Sequence, residues 1–155
     1  MVQQPLKYAA VELNPDPGSG LSEHIFGSLV GGQVVGGLEI PDLQGYLVKL
    51  ETGITSLPGL SQFPQSQWPP LIIHTTFDTM VISALIMRLF LFVFTGLWVL
   101  GRRPYDNRLM SFGIQFFAPF TLQIMELGWV TDELGRQPWI VYNVMTVSEA
   151  ANYSS

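Results

Sequence analysis

Cysteine is absent from the 155-residue sequence. Disulfides, zinc-thiolate sites and iron-sulfur clusters are therefore excluded, and any metal centre must draw on His, Met, Glu or Asp. Charge is scarce too. Only 12% of the residues are Asp, Glu, Lys or Arg, against roughly 25% in an ordinary soluble domain. Seven bases stand against 12 acids, for a net charge of -5, which leaves no basic surface for nucleic acid and no polybasic patch for anionic lipid. The opening MVQQPLKYAA lacks the charged start, apolar middle and small-residue cleavage site of a secretory signal. GxGxxG, P-loop, GxSxG and HExxH patterns are missing, so soluble nucleotide or hydrolytic chemistry has no support. What is present is apolar. At 48% hydrophobic residues and a mean hydropathy of +0.32, the composition is that of a membrane protein set in a lipid bilayer.

The apolar residues are unevenly spread. Residues 1–75 are rich in Gly, Pro and Ser and contain no apolar run long enough to span, so they read as an extramembrane segment. A short helix is expected from Pro5 to Leu13, because proline suits a first helical position and the following NPDPGSG stops it. SLVGGQVVGGLEI, Ser28 to Ile40, holds too many glycines to assign as strand or helix. From Thr79 to Leu100, 22 residues would rise about 33 Å as a helix, enough for a hydrocarbon core of about 30 Å. GRRPYDNR follows, with three of the seven bases, and Met110 to Trp129 supplies a second apolar stretch of 20 residues.

The pattern predicts an all-α membrane protein: a transmembrane helical hairpin of two spans with a long extramembrane N-terminal loop segment. The expected parts are the segment 1–75, helix 76–101, a turn at 102–108, helix 109–133, and a tail at 134–155. Arg102, Arg103 and Arg108 put the turn in the cytoplasm and both the first 75 residues and the tail outside. An outward segment of that length without a signal implies upstream helices, so the chain is expected to be the later part of a larger helical bundle.

On a helical period, Gln115, Leu122, Glu126, Trp129 and Glu133 share one stripe of the second helix. Glu126 lies within the predicted span, where a carboxyl is either kept neutral by a neighbouring helix or faces a cavity or cofactor. Glu133, Arg136 and Trp139 by themselves pass for a solvated helix end and interfacial anchors. Met80 alone reads as packing. His74 and Met80, six positions apart, fall on different helical faces, which speaks against one shared iron site. Arg88, at mid-span, must pair or snorkel. Lys7 and Glu12 lie on the short first helix, where the plain reading is a solvated face, and His24 has no neighbouring ligand set.

GWVTDELGRQPWIVY, Gly128 to Tyr142, resembles the GRQPW region of subunit I of cytochrome bd-type quinol oxidases. HTTFDTMVISALIM, His74 to Met87, is similar to the helix that follows that family's quinol loop. QQPLKYAAVE, Gln3 to Glu12, resembles part of the loop itself, and GLEIPDL and GLSQFPQSQWPPLIIH fill the interval. The likeness runs from the second half of the quinol loop through the GRQPW motif, the C-terminal portion of the subunit. It implies that Met80 ligates the low-spin haem b, whose histidine partner lies on an earlier helix. A thioether opposite an imidazole favours reduced iron and suits electron transfer. Glu133 corresponds to a carboxylate ligand of a high-spin haem where oxygen is reduced, which is a haem b or a haem d. Trp129 matches a tryptophan close to those haems, and Arg136 an arginine placed for haem propionates. Lys7 and Glu12 match the residues implicated in quinol oxidation: the carboxylate accepts a proton and the ammonium stabilises anionic charge.

The implied protein is a quinol:oxygen oxidoreductase of a prokaryotic cell membrane. It is multi-pass, with the loop and the GRQPW segment extracytoplasmic. Its implied partners are quinol, O2, the remaining helices of subunit I and a subunit II-like membrane protein. Several positions depart from the family. Ile82, Ser83 and Ala84 stand where glycines often follow the methionine, Asn143 replaces a usual glycine, Thr146-Val147 replaces a common Arg-Thr pair, and Arg88 within the first span is unexpected and has no role that the resemblance implies. These departures keep open the alternative of a non-catalytic two-span accessory subunit that binds no haem by itself.

Overall fold

A computed structural model describes residues 4–153, apart from the side chain of Tyr153. Helix α1, Pro5–Val11, begins where Pro5 sets the first helical φ and ends before Leu13, whose φ is +55°. Its inner face is Leu6, Ala9 and Ala10, and the small alanines let the later helices approach closely. A correction to the all-α expectation follows, because the glycine-rich stretch forms two antiparallel hairpins, one nested in the other. Strand β1, Glu23–Ile25, pairs with β4, Leu38–Ile40, in the register Glu23 to Ile40. Between them β2, Ser28–Val30, pairs with β3, Gln33–Val35. Gly31 and Gly32, both at positive φ, make the two-residue turn whose twist suits an antiparallel pair. The flanking valines then favour strand over helix.

Helix α2, Leu43–Thr52, is closed by Gly53 in the left-handed conformation. A proline-punctuated stretch leads to helix α3, Ile72–Val99. Gly101 and a short turn at Pro104–Asp106 reverse the chain into helix α4, Arg108–Arg136, where the Asn107 side chain accepts from the amides of Leu109 and Met110. The contacts run in opposite directions along the two helices. Ile73 meets Gly135, Thr76 meets Thr131, Met80 meets Gly128, and Phe90 meets Gly113 and Phe117, so α3 and α4 are antiparallel neighbours.

Among the described residues, only α3 is both long and apolar enough to cross a membrane, with a mean hydropathy of 2.2 and no residue of its apolar window buried within the chain. Helix α4 is as long, but Gln115, Gln123, Glu126, Asp132 and Glu133 dilute its apolar run.

After α4 come β5, Trp139–Val141, β6, Met145–Thr146, and α5, Val147–Tyr153. Asn143, between the strands, has a φ of +58°, a conformation that asparagine tolerates better than other side-chain-bearing residues. Thr146 caps α5, since its hydroxyl lies 3.3 Å from the Glu149 amide while Glu149 Oε2 accepts the Thr146 amide at 2.7 Å. The core lies at one end of the helical pair. Leu6, Ala9, Ala10, Val11, Leu60 and Ile73 form it, with Phe63, Trp68 and Phe77 packed around.

Candidate functional site

The first turns of α3, the last turns of α4 and all of α1 meet above the helical pair. Gly135 lies there under α1. A β-carbon at that position would come within 2.6 Å of Lys7 and 2.7 Å of Ile73, so glycine is what lets the lysine stem cross α4. The Lys7 ammonium ends 2.5 Å from Asp132 Oδ1. Asp132 Oδ2 lies 3.5 Å from Arg136, whose guanidinium is also 3.7 Å from Glu133. Three residues singled out from the sequence, Lys7, Glu133 and Arg136, are thus joined through a fourth, Asp132, that was missed. Its signal was available in the spacing of Asp132 and Arg136, one helical turn apart.

Lys7 and Glu12 both line a cavity of about 480 Å³, together with Tyr8, Val11, Phe77 and Thr131. Its walls are mainly apolar, and its polar groups sit on the α1 side. Glu12 is pushed up to about 7, first by burial and next by the charge of Glu23, while the Gln44 amide opposes the shift. Burial also raises Tyr8, and Glu12 adds to the effect. Glu23 is raised by burial and then by Asp78. Each shift has the same origin, since a carboxylate or phenolate set among other acids and away from water resists ionisation.

His74 and Asp78 are buried beside this group at the head of α3. His74 Nδ1 lies 2.7 Å from the Val11 carbonyl, and Nε2 faces Asp78 Oδ2 at 3.2 Å. Asp78 Oδ2 accepts the Phe26 amide at 2.6 Å, which fastens the nested hairpins to α3. The pairing was within reach of the sequence as two polar residues one turn apart; its burial was not, because the cover comes from α1 and the strands.

Met80 is half-buried one turn below Thr76, and its sulfur packs on Gly128, where a β-carbon would stand 3.1 Å away. Gln115, Leu122, Glu126, Trp129 and Glu133 are all exposed, so the polar stripe is a single face that the described residues leave uncovered. Met80 and Glu133 therefore belong to different surfaces of the pair. Arg88 is exposed midway along α3.

These residues fit the haem groups that the resemblance implies. A porphyrin supplies its own equatorial nitrogens, leaving one axial position on each face for a side chain, so a lone thioether and a lone carboxylate suffice. A second observation concerns the propionates. Arg136 and Trp139 line a cavity of about 350 Å³ beside Lys7, and the buried Trp139 Nε1 has no hydrogen-bond partner among the described residues. A carboxylate there would satisfy both the indole and the guanidinium.

Comparison with known proteins points the same way. A Bacillus subtilis (strain 168) protein named as a cytochrome bd menaquinol oxidase subunit I is 37% identical over 98 residues, 61% of this chain and 21% of that protein. The solved bd oxidase of Geobacillus thermodenitrificans superposes with a TM-score of 0.74 at 30% identity, covering 95% of this chain and 34% of that one. The chain spans about a fifth of the first relative and a third of the second. All of its residues, 1–155, match the family described as cytochrome bd terminal oxidase subunit I. The chain belongs to the cytochrome bd terminal oxidase subunit I family.

Proposed function

We propose that this chain supplies the quinol-oxidising site and two haem ligands of a membrane quinol oxidase that reduces O2 to water. It would work with other helices of subunit I and a second membrane subunit. The observation that carries the reading is the 480 Å³ cavity that Lys7 and Glu12 share with Phe77 and Thr131. Its volume lies in the range of small-molecule sites, and its apolar walls with a few convergent polar groups suit a quinone-like ring. A quinol hydroxyl placed there gives its proton to the Glu12 carboxylate, while the Lys7 ammonium stabilises the oxygen left behind. Asp132 holds Lys7 in place without closing the cavity.

Met80 would hold the low-spin haem b from the α3 side, and Glu133 a high-spin haem from the exposed face of α4, with Trp129 beside it. Arg136 and Trp139 would bind propionates. Bound haem supplies the electron transfer and the oxygen chemistry; the chain supplies placement, axial donors and electrostatics. In this reading α3 and α4 are two transmembrane spans, the arginine-bearing turn is cytoplasmic, and the α1 end faces outward. The exposed stripe of α4 is then the face that meets cofactor and neighbouring helices.

The test is made in the assembled complex. Lys7→Ala and Glu12→Ala should each lower quinol-driven oxygen uptake by about a hundredfold, with haem content and artificial-donor activity retained. Equal loss with the artificial donor would move the damage away from a quinol site. Met80→Leu should abolish the low-spin haem b absorption, and an unchanged spectrum would remove Met80 from the iron.

A further inference from the structure

Behind the quinol cavity lies a second one of about 180 Å³, lined by Tyr8, Glu12, Glu23, Gln44, Val48 and Glu51. Tyr8 of α1 and Glu12, which caps its C-terminal end, line both cavities and form the wall between them. The two cavities differ in character. The first is walled by Phe77 and Val11, whereas the second gathers three carboxylates, from α1, β1 and α2. Glu23 is brought there by the pairing of β1 with β4, and its carboxyl stands within hydrogen-bonding reach of Glu12. A proton on either one therefore bridges the two.

Gln44 adds an independent observation. Only 2% exposed, it lines the second cavity beside Glu12 and Tyr8, close enough for its amide to lower both, yet neither its Nε2 nor its Oε1 reaches full hydrogen-bond geometry. A buried amide without well-formed hydrogen bonds is costly, and water within the cavity removes that cost. The cavity is roomy enough for several waters by the usual measure of about 30 Å³ each. Its rim carries Glu51, which is exposed.

We propose that Glu23 is a second proton-carrying carboxylate of the quinol site, receiving the proton from Glu12 and releasing it to water in the Gln44–Glu51 cavity. The proposal rests on the quinol reading given above and deepens it. Each transfer is redox-neutral: the O–H bond on Glu12 breaks as one forms on Glu23, and water takes the proton at the rim. The groups facing this pair are Tyr8 of α1, Gln44 and Glu51 of α2, and His74 and Asp78 of α3. Burial raises both carboxyls, with the charge of Glu23 adding to the effect at Glu12 and that of Asp78 at Glu23. Without an exit, Glu12 would keep the first proton it received and be unable to accept the next.

The experiment compares quinol-driven oxygen uptake with artificial-donor uptake in the assembled complex. Glu23→Gln should lower the quinol kcat by about tenfold or more while KM stays within about twofold. The haem spectrum and donor activity should remain, and Glu23→Asp should restore most of the rate. An unchanged kcat, or a raised KM with kcat intact, overturns the relay. Gln44→Leu, which removes an amide that lacks full hydrogen-bond geometry, gives a second arm should Glu23→Gln fail to assemble. It dries the cavity and should slow quinol oxidation alone, and a wild-type rate overturns the proposal. Glu12→Gln separates the two levels. If it leaves quinol oxidation whole, the quinol reading fails and the relay with it; if it stops the reaction while Glu23→Gln does not, only the relay fails.

Discussion

The end of the molecule that holds α1 and the far end of the α3–α4 pair are stabilised by different means. Around α1, Leu6, Ala9, Ala10, Leu13, Leu57, Leu60 and Ile73 are all at most 3% exposed. Beyond Asp78, α3 buries no residue, and α4 buries none before Thr131. There the helices meet through side chains such as Phe90 and Phe117, whose ring centroids are 5.0 Å apart, while Phe92, Trp98 and Phe112 stay exposed. The first region is closed by its own core, and the second leaves its apolar faces uncovered within the described residues. The proposed chemistry follows the same division. The carboxyls whose proton affinity burial shifts sit in the first region, and the proposed haem donors Met80 and Glu133 lie on half-buried or open surfaces.

The contrast is most severely tested by removing volume from each region. Ile73→Ala, at a site with no exposure beneath α1, should cost about 2–5 kcal/mol through lost burial and the cavity left behind. Phe92→Ala, at a residue 76% exposed, should cost under about 0.5 kcal/mol by the same measure. Thermal unfolding of the solubilised complex, with proteolysis of the segment before α3 as a local probe, reads both. Equal losses would show that the two regions share one stabilising core.

The same division decides how much was legible beforehand. The lower region could be read from the sequence, because the apolar run at Thr79–Leu100, the arginine-bearing turn and the stripe through Trp129 and Glu133 are local patterns that survive in α3 and α4. The short helix at Pro5 was legible for the same reason. The nested hairpins were not, since Gly31-Gly32 signals a turn only once Ser28–Val30 and Gln33–Val35 are known to pair. The candidate site was half visible. Motif resemblance picked out Lys7, Glu12, Met80, Trp129, Glu133 and Arg136, but Glu23, Gln44, His74, Asp78 and Asp132 acquire meaning only when α1, β1, α2 and the helical pair come together. A charge on a Gly-rich loop carries no sign of burial in the sequence.

A smaller effect sharpens the electrostatic side of the comparison. Glu12 is raised from 4.5 to about 7, chiefly by burial. Below about pH 7 it keeps its proton and cannot accept another, so quinol kcat should rise with pH and level off above 7, falling about tenfold per unit on the acid side. The effect on folding has the opposite sense. Because the folded carboxyl binds its proton more tightly than the unfolded one, its contribution to stability is complete below pH 4.5 and is lost as pH rises through about 7. Glu12→Gln should flatten this stability slope. A slope that persists in the variant would assign the titration to another group.

The smallest expected effect lies in the tail, where Thr146 occupies a position that family resemblance would give to a basic residue. Its hydroxyl and amide both meet Glu149 Oε2, at 2.8 and 2.7 Å, and these contacts hold the Glu149 carboxyl below its usual range. Thr146→Ala should cost about 1 kcal/mol of local order in α5, as loss of an N-cap does, while haem content and quinol turnover stay at wild-type values. Amide exchange confined to Val147–Tyr153 is the suitable measurement, because the short helix packs on β5 and β6 rather than on the core around Ile73. If exchange also quickened at α1, the tail would be coupled to the cavity lined by Lys7 and Glu12 through β5 and the Arg136–Asp132–Lys7 chain. The separation between buried and open regions would then fail at the GRQPW turn.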